Sequence, residues 1–361
     1  MKYKFFKVVG LMTGTSMDGI DISLVNTNGI ELISLKNFYY KFQQNQIDRL
    51  NYFLKKKQEI LANIEKKEKA DNYISNLHIE ALKKFSDKSF EIIGFHGQTI
   101  HHVPGKKSIQ LGNPNLLSKY FKKKIIYNFR KEDIKNGGQG APLVPIYHQY
   151  LIEKNNLKLP CVFINIGGIS NLTYWDGCKL IGFDTGPGNC LLDEFIKIRS
   201  SLNFDFNGKL ASKGKVNKKL VMQFMKNQYF NIKPPKSLDK LDFTIFFEEF
   251  LKSNLSLNDG LATLSEITIK CIISSLQYLP KNESSIIICG GGFKNKFLMK
   301  RLQSCLETKI LDPKSFNINV DFVESELISF LSARFMNKLP ITFPSTTGVC
   351  KPMTGGFLIN N

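Results

Sequence analysis

Apolar runs that alternate with helical segments, several of them ending in glycine-rich turns, constrain this chain more than any other feature of its sequence. The three richest turns are "GLMTGTSMDGID" (10–21), "NIGGISN" (165–171) and "CGGGFKN" (289–295). Alternation of this kind predicts an α/β architecture with largely buried central strands. Because glycines let the backbone approach a ligand and successive N–H groups bind oxyanions, the turns also indicate phosphate binding. A plain hairpin or a tight-packing turn is the alternative for each of them.

The first two turns share one plan, in which an apolar strand, a turn bearing glycine and serine, and a second apolar strand follow one another. Coincidence is the alternative explanation for so short a similarity. At 361 residues the chain is longer than one ordinary domain, and two similar domains facing each other across a cleft would bring the turns together. We expect an N-terminal domain of residues 1–129 plus 343–361 and a C-terminal domain of residues 130–342.

The net charge of +19 comes almost entirely from lysine, since only five of the 50 basic residues are arginines. Base readout and phosphate clamping favour the arginine fork, so this charge does not predict a nucleic-acid partner. A positive field still favours an anionic small substrate.

The sequence has no uncharged apolar span of about 18 residues, which argues against a membrane helix. Seven cysteines without a C-x-x-C pair and no signal-peptide cleavage site predict reduced thiols and a cytoplasmic protein.

One carboxylate is the strongest catalytic candidate. Asp184 lies in "GFDTGPGN" (182–189), where we expect a strand to end and a Gly-Pro-Gly loop to leave the carboxylate exposed in a cleft. A carboxylate there accepts a proton from a hydroxyl or from water. The alternative is a turn aspartate that caps local N–H groups. In the helix that follows, Asn189 is expected at the N-cap.

The opening turn carries hydroxyls and carboxylates in addition to its glycines. Thr13, Thr15 and Ser16 can donate to oxyanions, and Asp18 and Asp21 can hold Mg²⁺ directly or through water. The turn matches neither the G-x-x-x-x-G-K-[ST] phosphate loop nor the strand-linked G-x-G-x-x-G motif. It is not a G-x-S-x-G elbow either.

The segment "FHGQTIHH" (95–102) contains three of the five histidines. His101 and His102 would point to opposite faces of a strand, which disfavours a metal site. Contacts to a polar substrate and purely structural roles both stay open for these side chains.

Together, these segments make the chain similar to the anhydro-N-acetylmuramic acid kinases, a branch of the actin-like, sugar kinase and heat-shock ATPase superfamily. The resemblance runs nearly end to end, and its motifs are specific in order, spacing and number. They are "GLMTGTSMDGID", "GFHGQTIHH", "QLGNP", "NFRKEDIKNGGQGAPLVP", "FINIGGISNLT", "GFDTGPGN", "CGGGFKN" with "LMKRL", and "ESELISFL" before "PSTTG".

The resemblance implies an α/β fold of two actin-like (ribonuclease H-like) domains, each with a central mixed sheet flanked by helices, and an active-site cleft between them. It implies a kinase that uses ATP and Mg²⁺ to phosphorylate O6 of 1,6-anhydro-N-acetylmuramic acid while water opens the anhydro ring. The product is N-acetylmuramic acid 6-phosphate, and the pathway is cell-wall (peptidoglycan) recycling. The expected protein is a cytoplasmic homodimer without a nucleic-acid or membrane partner.

The resemblance also implies roles for individual residues. Asp184 matches the general base that activates water to attack C1 as O6 takes the γ-phosphoryl group. The expected ATP-binding residues are Gly14, Thr15, Ser16, Met17, Asp18, Gly19, Ile20 and Asp21 in a first phosphate loop, Gly167, Gly168, Ser170 and Asn171 in a second, and Gly290, Gly291 and Gly292 in the adenosine wall. The expected sugar-binding residues are Thr13, His96, Gln98, Arg130, Gln139, Gly186 and Glu326. Asp18 and Asp21 are the expected contacts to Mg²⁺, directly or through water.

Three other functions fit the sequence less well. A peptidase or carbamoyl-transfer relative in the same superfamily would need a histidine pair spaced H-x-x-x-H, which the sequence lacks. An ATP-dependent binding module like the heat-shock ATPases would carry an added peptide-binding domain, and we expect none in 361 residues. The excess of lysine over arginine disfavours nucleic-acid binding.

The chain departs from the family pattern at Lys296, where relatives usually have proline, and around Glu326, where the common alanine-rich helix is missing; the tail "TGVCKPMTGG" is also looser than usual.

Overall fold

The computed structural model describes residues 3–14 and 17–360, and the chain forms two compact units. Unit 1 comprises Met1–Tyr150 and Phe322–Asn361, and unit 2 comprises Leu151–Asp321. Within the described ranges, no helix combines the length and the apolar character that a membrane span requires.

The strands and helices alternate along much of the chain. The strands are β1 Phe6–Met12, β2 Gly19–Thr27, β3 Leu32–Lys41, β4 Ile92–Phe95, β5 Gln98–Val103, β6 Lys107–Leu111, β7 Lys124–Tyr127, β8 Cys161–Ile166, β9 Ile169–Trp175, β10 Leu180–Pro187, β11 Ser285–Cys289, β12 Ile310–Leu311 and β13 Phe357–Ile359. The α-helices are α1 Gln44–Lys55, α2 Lys57–Ala62, α3 Ile64–Lys84, α4 Pro114–Phe121, α5 Lys131–Lys135, α6 Pro145–Lys154, α7 Cys190–Arg199, α8 Lys218–Met225, α9 Thr244–Lys252, α10 Leu257–Ser275, α11 Lys296–Gln303, α12 Val323–Met336 and α13 Pro344–Thr347.

Each unit is built on one mixed sheet, and the two sheets share a strand plan. In unit 1 the order is β13-β7-β4-β1-β2-β3. The pairs β1–β2, β2–β3 and β7–β13 are antiparallel, and the pairs β1–β4 and β4–β7 are parallel. In unit 2 the order is β10-β9-β8-β11-β12, with β8, β9 and β10 antiparallel in turn and β8, β11 and β12 parallel. The prediction of an α/β chain with two mixed sheets is confirmed, and the repeated plan supports the internal duplication that the turns indicated.

The central strands are apolar because both of their faces are covered. All six residues of β8 and all five of β11 are buried. Some helices begin at a side-chain cap; at the start of α3, Asn63 accepts a hydrogen bond from the Lys66 N–H (2.9 Å).

Helix α12 packs directly on the sheet of unit 1 because two glycines face it. Gly10 of β1 and Gly94 of β4 stand opposite each other in the parallel pair. A methyl group on Gly10 would collide with the Ser325 carbonyl oxygen, and one on Gly94 would lie 2.5 Å from Ser332 Oγ. The Ser325 hydroxyl is also 2.7 Å from the Ser23 hydroxyl of β2. The glycines therefore set how closely the helix and the sheet approach.

This packing moves the domain boundaries away from those predicted. The compact units divide after residues 150 and 321, whereas the sequence suggested divisions after residues 129 and 342. Because α12 packs on the strands β1, β2 and β4, it belongs to unit 1. Residues up to Tyr150 also belong there, since the Tyr150 hydroxyl donates to the Leu32 carbonyl of β3 (2.7 Å).

Replacement of Gly10 by alanine tests this contact. Gly10→Ala is expected to lower the free energy of unfolding by about 1–3 kcal/mol, the usual cost of overpacking, since the methyl group meets a backbone oxygen. Ser34→Ala, at an exposed position of the edge strand β3, is the control and should change stability by less than about 0.5 kcal/mol. Denaturant unfolding measures both variants. Equal stability of the two variants would contradict the close packing.

Candidate active site

The glycine-rich loops of unit 2 meet at one edge of its sheet. Because β8 and β11 are parallel, their carboxyl ends lie at the same edge, where α/β proteins usually bind ligands. The Gly188 N–H donates to Gly168 O (2.9 Å), and the Asn189 N–H donates to Gly167 O (2.8 Å). Gly290 has φ +80°, and a methyl group there would collide with the Asn165 side chain. The second and third predicted loops are thus brought together with the loop that follows Asp184.

Asn189 occupies the N-cap of α7, but its side chain makes no capping bond. Its Nδ2 instead donates to Ile166 O (3.2 Å) at the end of β8. A methyl group on Gly291 would lie 3.5 Å from the same Nδ2, and one on Gly292 would collide with the Ile166 side chain. The expected adenosine wall therefore packs against the second phosphate loop through its glycines.

Two polar atoms of the second loop are buried without a hydrogen-bond partner among the residues that the structure describes. They are Ser170 Oγ and Asn171 Oδ1. Asn171 stands opposite Asp184 in the β9–β10 pair. Since an unpaired buried polar atom costs about 1–3 kcal/mol, both atoms suit a polar ligand that completes their hydrogen bonds.

Asp184 is buried, with 5% of its surface exposed, so the expectation of an exposed carboxylate is wrong. Strand β10 continues beyond it. The Leu238 N–H donates to Asp184 Oδ2 (2.8 Å). The Asp184 N–H donates to Lys236 O (3.0 Å), and the Tyr229 hydroxyl donates to Asp184 O. A segment distant in sequence thus fixes both the backbone and the carboxylate of this residue.

The residues that bind Asp184, namely Tyr229, Lys236 and Leu238, were not predicted from the sequence. Lys236 is buried; its Nζ donates to Tyr229 O (3.0 Å) and lies over the rings of Tyr229 (4.4 Å) and Tyr278 (4.6 Å). Burial lowers the pKa of Lys236 to about 8. The hydroxyl of Ser237 is also buried with no partner in the described part of the chain. The available signal was the "PPKS" run at 234–237, which does not stand out among so many lysines.

Gly186, a predicted sugar contact, lies just beyond Asp184. The pairing of β10 with β9 is irregular between these two residues. A methyl group on Gly186 would lie 2.6 Å from Cys271 Cβ of α10. The glycine lets α10 pack against the strand that carries Asp184.

In unit 1, His96 and Arg130 form a hydrogen-bonded pair. Arg130 Nε and Nη2 lie 3.3 and 3.2 Å from His96 Nε2, and Nη1 donates to Gly140 O (2.7 Å). His96 Nδ1 is 3.0 Å from Gly97 O; because a carbonyl only accepts, Nδ1 carries the proton and Nε2 accepts from Arg130. Burial, and then the charge of Arg130, lowers the pKa of His96 to about 3.

Gln98 and His102 of the histidine-rich segment lie near this pair. Gln98 Oε1 and both ring nitrogens of His102 are buried without a partner within the described ranges. A methyl group on Gly140 would lie 3.5 Å from His102 Cε1. Burial, and then Arg130, lowers the pKa of His102 to about 3. These atoms suit contacts to a polar ligand; in the same described residues, no group of three or more histidine, cysteine or acidic side chains could hold a metal ion.

Hydrogen bonds to Asp133 and Thr347 hold the loop that carries Gln139. The Gly140 N–H donates to Asp133 Oδ2 (2.7 Å), and the Thr347 hydroxyl donates to Asp133 Oδ1 (2.6 Å). The Gln139 N–H donates to Thr347 O (2.7 Å). Glu326, another predicted sugar contact, is buried and accepts a hydrogen bond from the Tyr147 hydroxyl (2.7 Å).

The first turn is described only in part, since Thr15 and Ser16 lie outside the described residues. The Met17 N–H is 3.3 Å from Gly14 O, and the side chains of Met17 and Ile20 are buried in the core of unit 1. These two residues can contact ATP only through their backbone. Thr13 lies directly after β1, and its hydroxyl is 3.0 Å from His78 Nε2.

Asp18 and Asp21 share a neighbour, Tyr39 of β3. The Tyr39 hydroxyl donates to Asp18, and its pKa is raised by burial, then by Asp18 and more weakly by Asp21. A methyl group on Gly19 would collide with the Tyr39 ring. The two carboxylates therefore lie near one phenol at the start of β2.

The low pKa of His102 predicts a pH dependence of stability. Between pH 5.5 and 4 the unfolded chain binds a proton on this imidazole and the folded chain does not. The free energy of unfolding is therefore maintained above the unfolded pKa and falls as the pH falls, by about 1.4 kcal/mol per pH unit for one such group. His102→Gln should flatten the slope by up to that amount in denaturant titrations. Measurements at pH 7.5, where the imidazole is neutral in both states, give the packing cost alone; identical slopes would contradict the prediction.

Comparison with known proteins identifies the family. The sequence model described as "Anhydro-N-acetylmuramic acid kinase" matches residues 6–360. The anhydro-N-acetylmuramic acid kinase of Zymomonas mobilis is 38% identical over 96% of this chain and 98% of the relative. That of Pelagibacter ubique is 39% identical over 99% of both chains, and that of Rhodopseudomonas palustris (strain HaA2) is 36% identical over 97% of this chain and 98% of the relative. The chain therefore belongs to the anhydro-N-acetylmuramic acid kinase family.

Proposed function

We propose that this protein is an ATP-dependent kinase that phosphorylates O6 of 1,6-anhydro-N-acetylmuramic acid and opens the anhydro ring by hydrolysis. The products are N-acetylmuramic acid 6-phosphate and ADP, and the reaction belongs to cell-wall recycling. Family membership over nearly the whole chain supports the reaction class. The observation that carries the assignment of the chemistry is the buried Asp184 carboxylate, held by Leu238 at the sheet edge where the glycine loops of unit 2 meet.

In this proposal Asp184 is the general base. A water oxygen bonds to C1 of the sugar while the water proton passes to the Asp184 carboxylate. The C1–O6 bond breaks, O6 takes the γ-phosphoryl group, and the bond between that phosphorus and the bridging oxygen of ADP breaks. The Leu238 N–H fixes the orientation of the carboxylate, which suits a group that must meet one water at one angle.

Phosphoryl transfer depends mostly on positioning and on neutralisation of charge. We assign the phosphates of ATP to the first turn and to Gly167, Gly168, Ser170 and Asn171, and the adenosine to Gly290, Gly291 and Gly292. The unpaired atoms of Ser170 and Asn171 support this assignment.

Mg²⁺ fits the carboxylates of the first turn. This ion usually keeps several waters and takes one or two carboxylates together with substrate phosphates, so a larger cluster of protein ligands is not required. Asp18 and Asp21, which share Tyr39 as a neighbour, would hold it, and it would neutralise phosphate charge.

The sugar is assigned to residues of unit 1 and to Gly186. The positive charge of Arg130 suits the carboxylate of an acidic sugar, and the Gln98 carbonyl suits a hydroxyl or amide donor. Thr13, His96, Gln139 and Glu326 complete the proposed set.

A cytoplasmic homodimer is part of the proposal on the family resemblance alone, and light scattering of the purified protein tests the dimer.

The substrate requirement is the direct test of the function. Purified protein should release ADP only when 1,6-anhydro-N-acetylmuramic acid is present, because the acceptor is needed for phosphoryl transfer. Product mass and NMR should show one added phosphate on O6 and an opened ring. ADP release at the same rate without the sugar would overturn the proposal.

Replacement of the base separates binding from chemistry. Asp184→Asn should lower kcat by about 10²–10⁴-fold, because the amide cannot take the water proton. Asp176→Asn is the control: this carboxylate accepts the Cys178 N–H (2.9 Å) in the β9–β10 turn and should not affect turnover. Turnover is measured by ADP release, and ATP affinity by calorimetry should stay within about twofold in both variants. Wild-type turnover in Asp184→Asn would assign the base elsewhere.

A further inference from the structure

His78 of α3 is a buried imidazole whose protonation is determined by its neighbours. Its Nδ1 lies 2.8 Å from the Ile74 carbonyl oxygen. Because a carbonyl oxygen only accepts hydrogen bonds, Nδ1 carries the hydrogen. In a neutral ring the other nitrogen, Nε2, then has only a lone pair to offer.

That lone pair faces a residue of the candidate site. His78 Nε2 lies 3.0 Å from the Thr13 hydroxyl oxygen, and both side chains are buried, with 1% and 3% of their surfaces exposed. Since Nε2 is an acceptor, the Thr13 hydroxyl must be the donor. Its one hydrogen is used in this bond, and only its lone pairs remain for a ligand.

The surroundings keep the ring neutral and in place. Burial lowers the pKa of His78 to about 4. The ring packs edge-on against Phe95, with 4.9 Å between ring centroids and 83° between planes. At neutral pH the imidazole therefore offers the same nitrogen to Thr13 in every molecule.

Thr13 is placed to use this property. It follows the carboxyl end of β1, and β1 pairs in parallel with β4, after which His96 follows. The His96 N–H is bonded to Leu11 O (3.3 Å), so Thr13 and the His96–Arg130 pair lie at one edge of the sheet of unit 1. This is the edge at which α/β folds bind ligands.

We propose that His78 is a positioning residue that makes the Thr13 hydroxyl a permanent hydrogen-bond acceptor for a hydroxyl or amide N–H of the sugar. A free threonine hydroxyl rotates and can donate or accept. With its hydrogen held by His78, it discriminates in favour of a donor group on the ligand and against an ether or carbonyl oxygen at the same place. The identity of the ligand as a sugar rests on the proposed function.

A double-mutant cycle tests whether His78 acts through Thr13. Thr13→Val removes the hydroxyl, and His78→Phe keeps a ring against Phe95 while removing both nitrogens. Each single variant should lower kcat/KM for the sugar by about tenfold, the worth of one hydrogen bond, with KM for ATP within about twofold of wild type. The double variant should be no worse than Thr13→Val, because the second change has nothing left to orient. Losses that multiply to about a hundredfold would overturn the proposal.

Two conservative variants separate positioning from folding. Thr13→Ser keeps the hydroxyl and should retain most of the activity. His78→Gln offers an amide oxygen toward Thr13 and should recover activity relative to His78→Phe. Equal losses in His78→Gln and His78→Phe would indicate a purely structural role and overturn the proposal.

The tautomer is measured without any substrate. In protein labelled with ¹⁵N-histidine, long-range ¹H–¹⁵N correlation spectra at pH 6–8 should show a protonated Nδ1 and an unprotonated Nε2 for one ring, whose signals disappear in His78→Phe. The opposite tautomer or a charged ring, with normal sugar turnover, would overturn the inference about His78 alone. If the wild type does not turn over the sugar, the proposed function is overturned. The proposal that the sugar donates a hydrogen bond to Thr13 is then overturned with it.

Discussion

Helix α12 can lie directly on the central strands of unit 1 because Gly10 and Gly94 leave no side chain between them and the helix. The contact joins a segment near the end of the chain to its first strand. Two serines of α12 pair with the sheet: the Ser329 hydroxyl donates to Ser23 O (3.1 Å), and the Ser325 hydroxyl lies 2.7 Å from the Ser23 hydroxyl. This interface therefore accommodates buried serines with their hydroxyls hydrogen-bonded. Glu326 lies on the same helix, and Thr13 and His96 directly follow the two strands that carry these glycines.

Unit 2 reaches the same strand plan but secures its loops differently. There the glycines allow the loops to pack directly on one another. Backbone hydrogen bonds link Gly188 to Gly168 and Asn189 to Gly167. Gly290 lies against the Asn165 side chain. Three loops that are far apart in sequence thereby hold one another at the sheet edge. Tight backbone packing of this kind orders the loops in advance, which in the proposed function would lower the entropy cost of binding the phosphates of ATP.

The sequence predicted the parts of the fold and site that depend on local signals. Apolar runs, glycine turns and helical periodicity are local, so the α/β class and the loops around Asp184 were recognised from them. The boundary at residue 321, the burial of Asp184 and its clamp by Lys236 and Leu238 depend on tertiary packing between distant segments. His78 was missed for the same reason: on sequence alone it is one polar residue in an amphipathic helix.

His78 and His96 of unit 1 share one hydrogen-bonding pattern. In His78 and in His96, Nδ1 donates to a backbone carbonyl and Nε2 accepts from a site residue, Thr13 or Arg130. A protonated imidazole would lose that acceptor and, at His96, would stand beside the charge of Arg130, which is why burial and Arg130 together lower the pKa of His96. Neutral histidine is thus required for the geometry of both pairs. Positive charge at this edge of the sheet is left to arginine, which stays protonated over the whole working range of pH. In the proposed function, Arg130 thus supplies the charge that binds an acidic sugar, and the neutral histidines orient the groups around it.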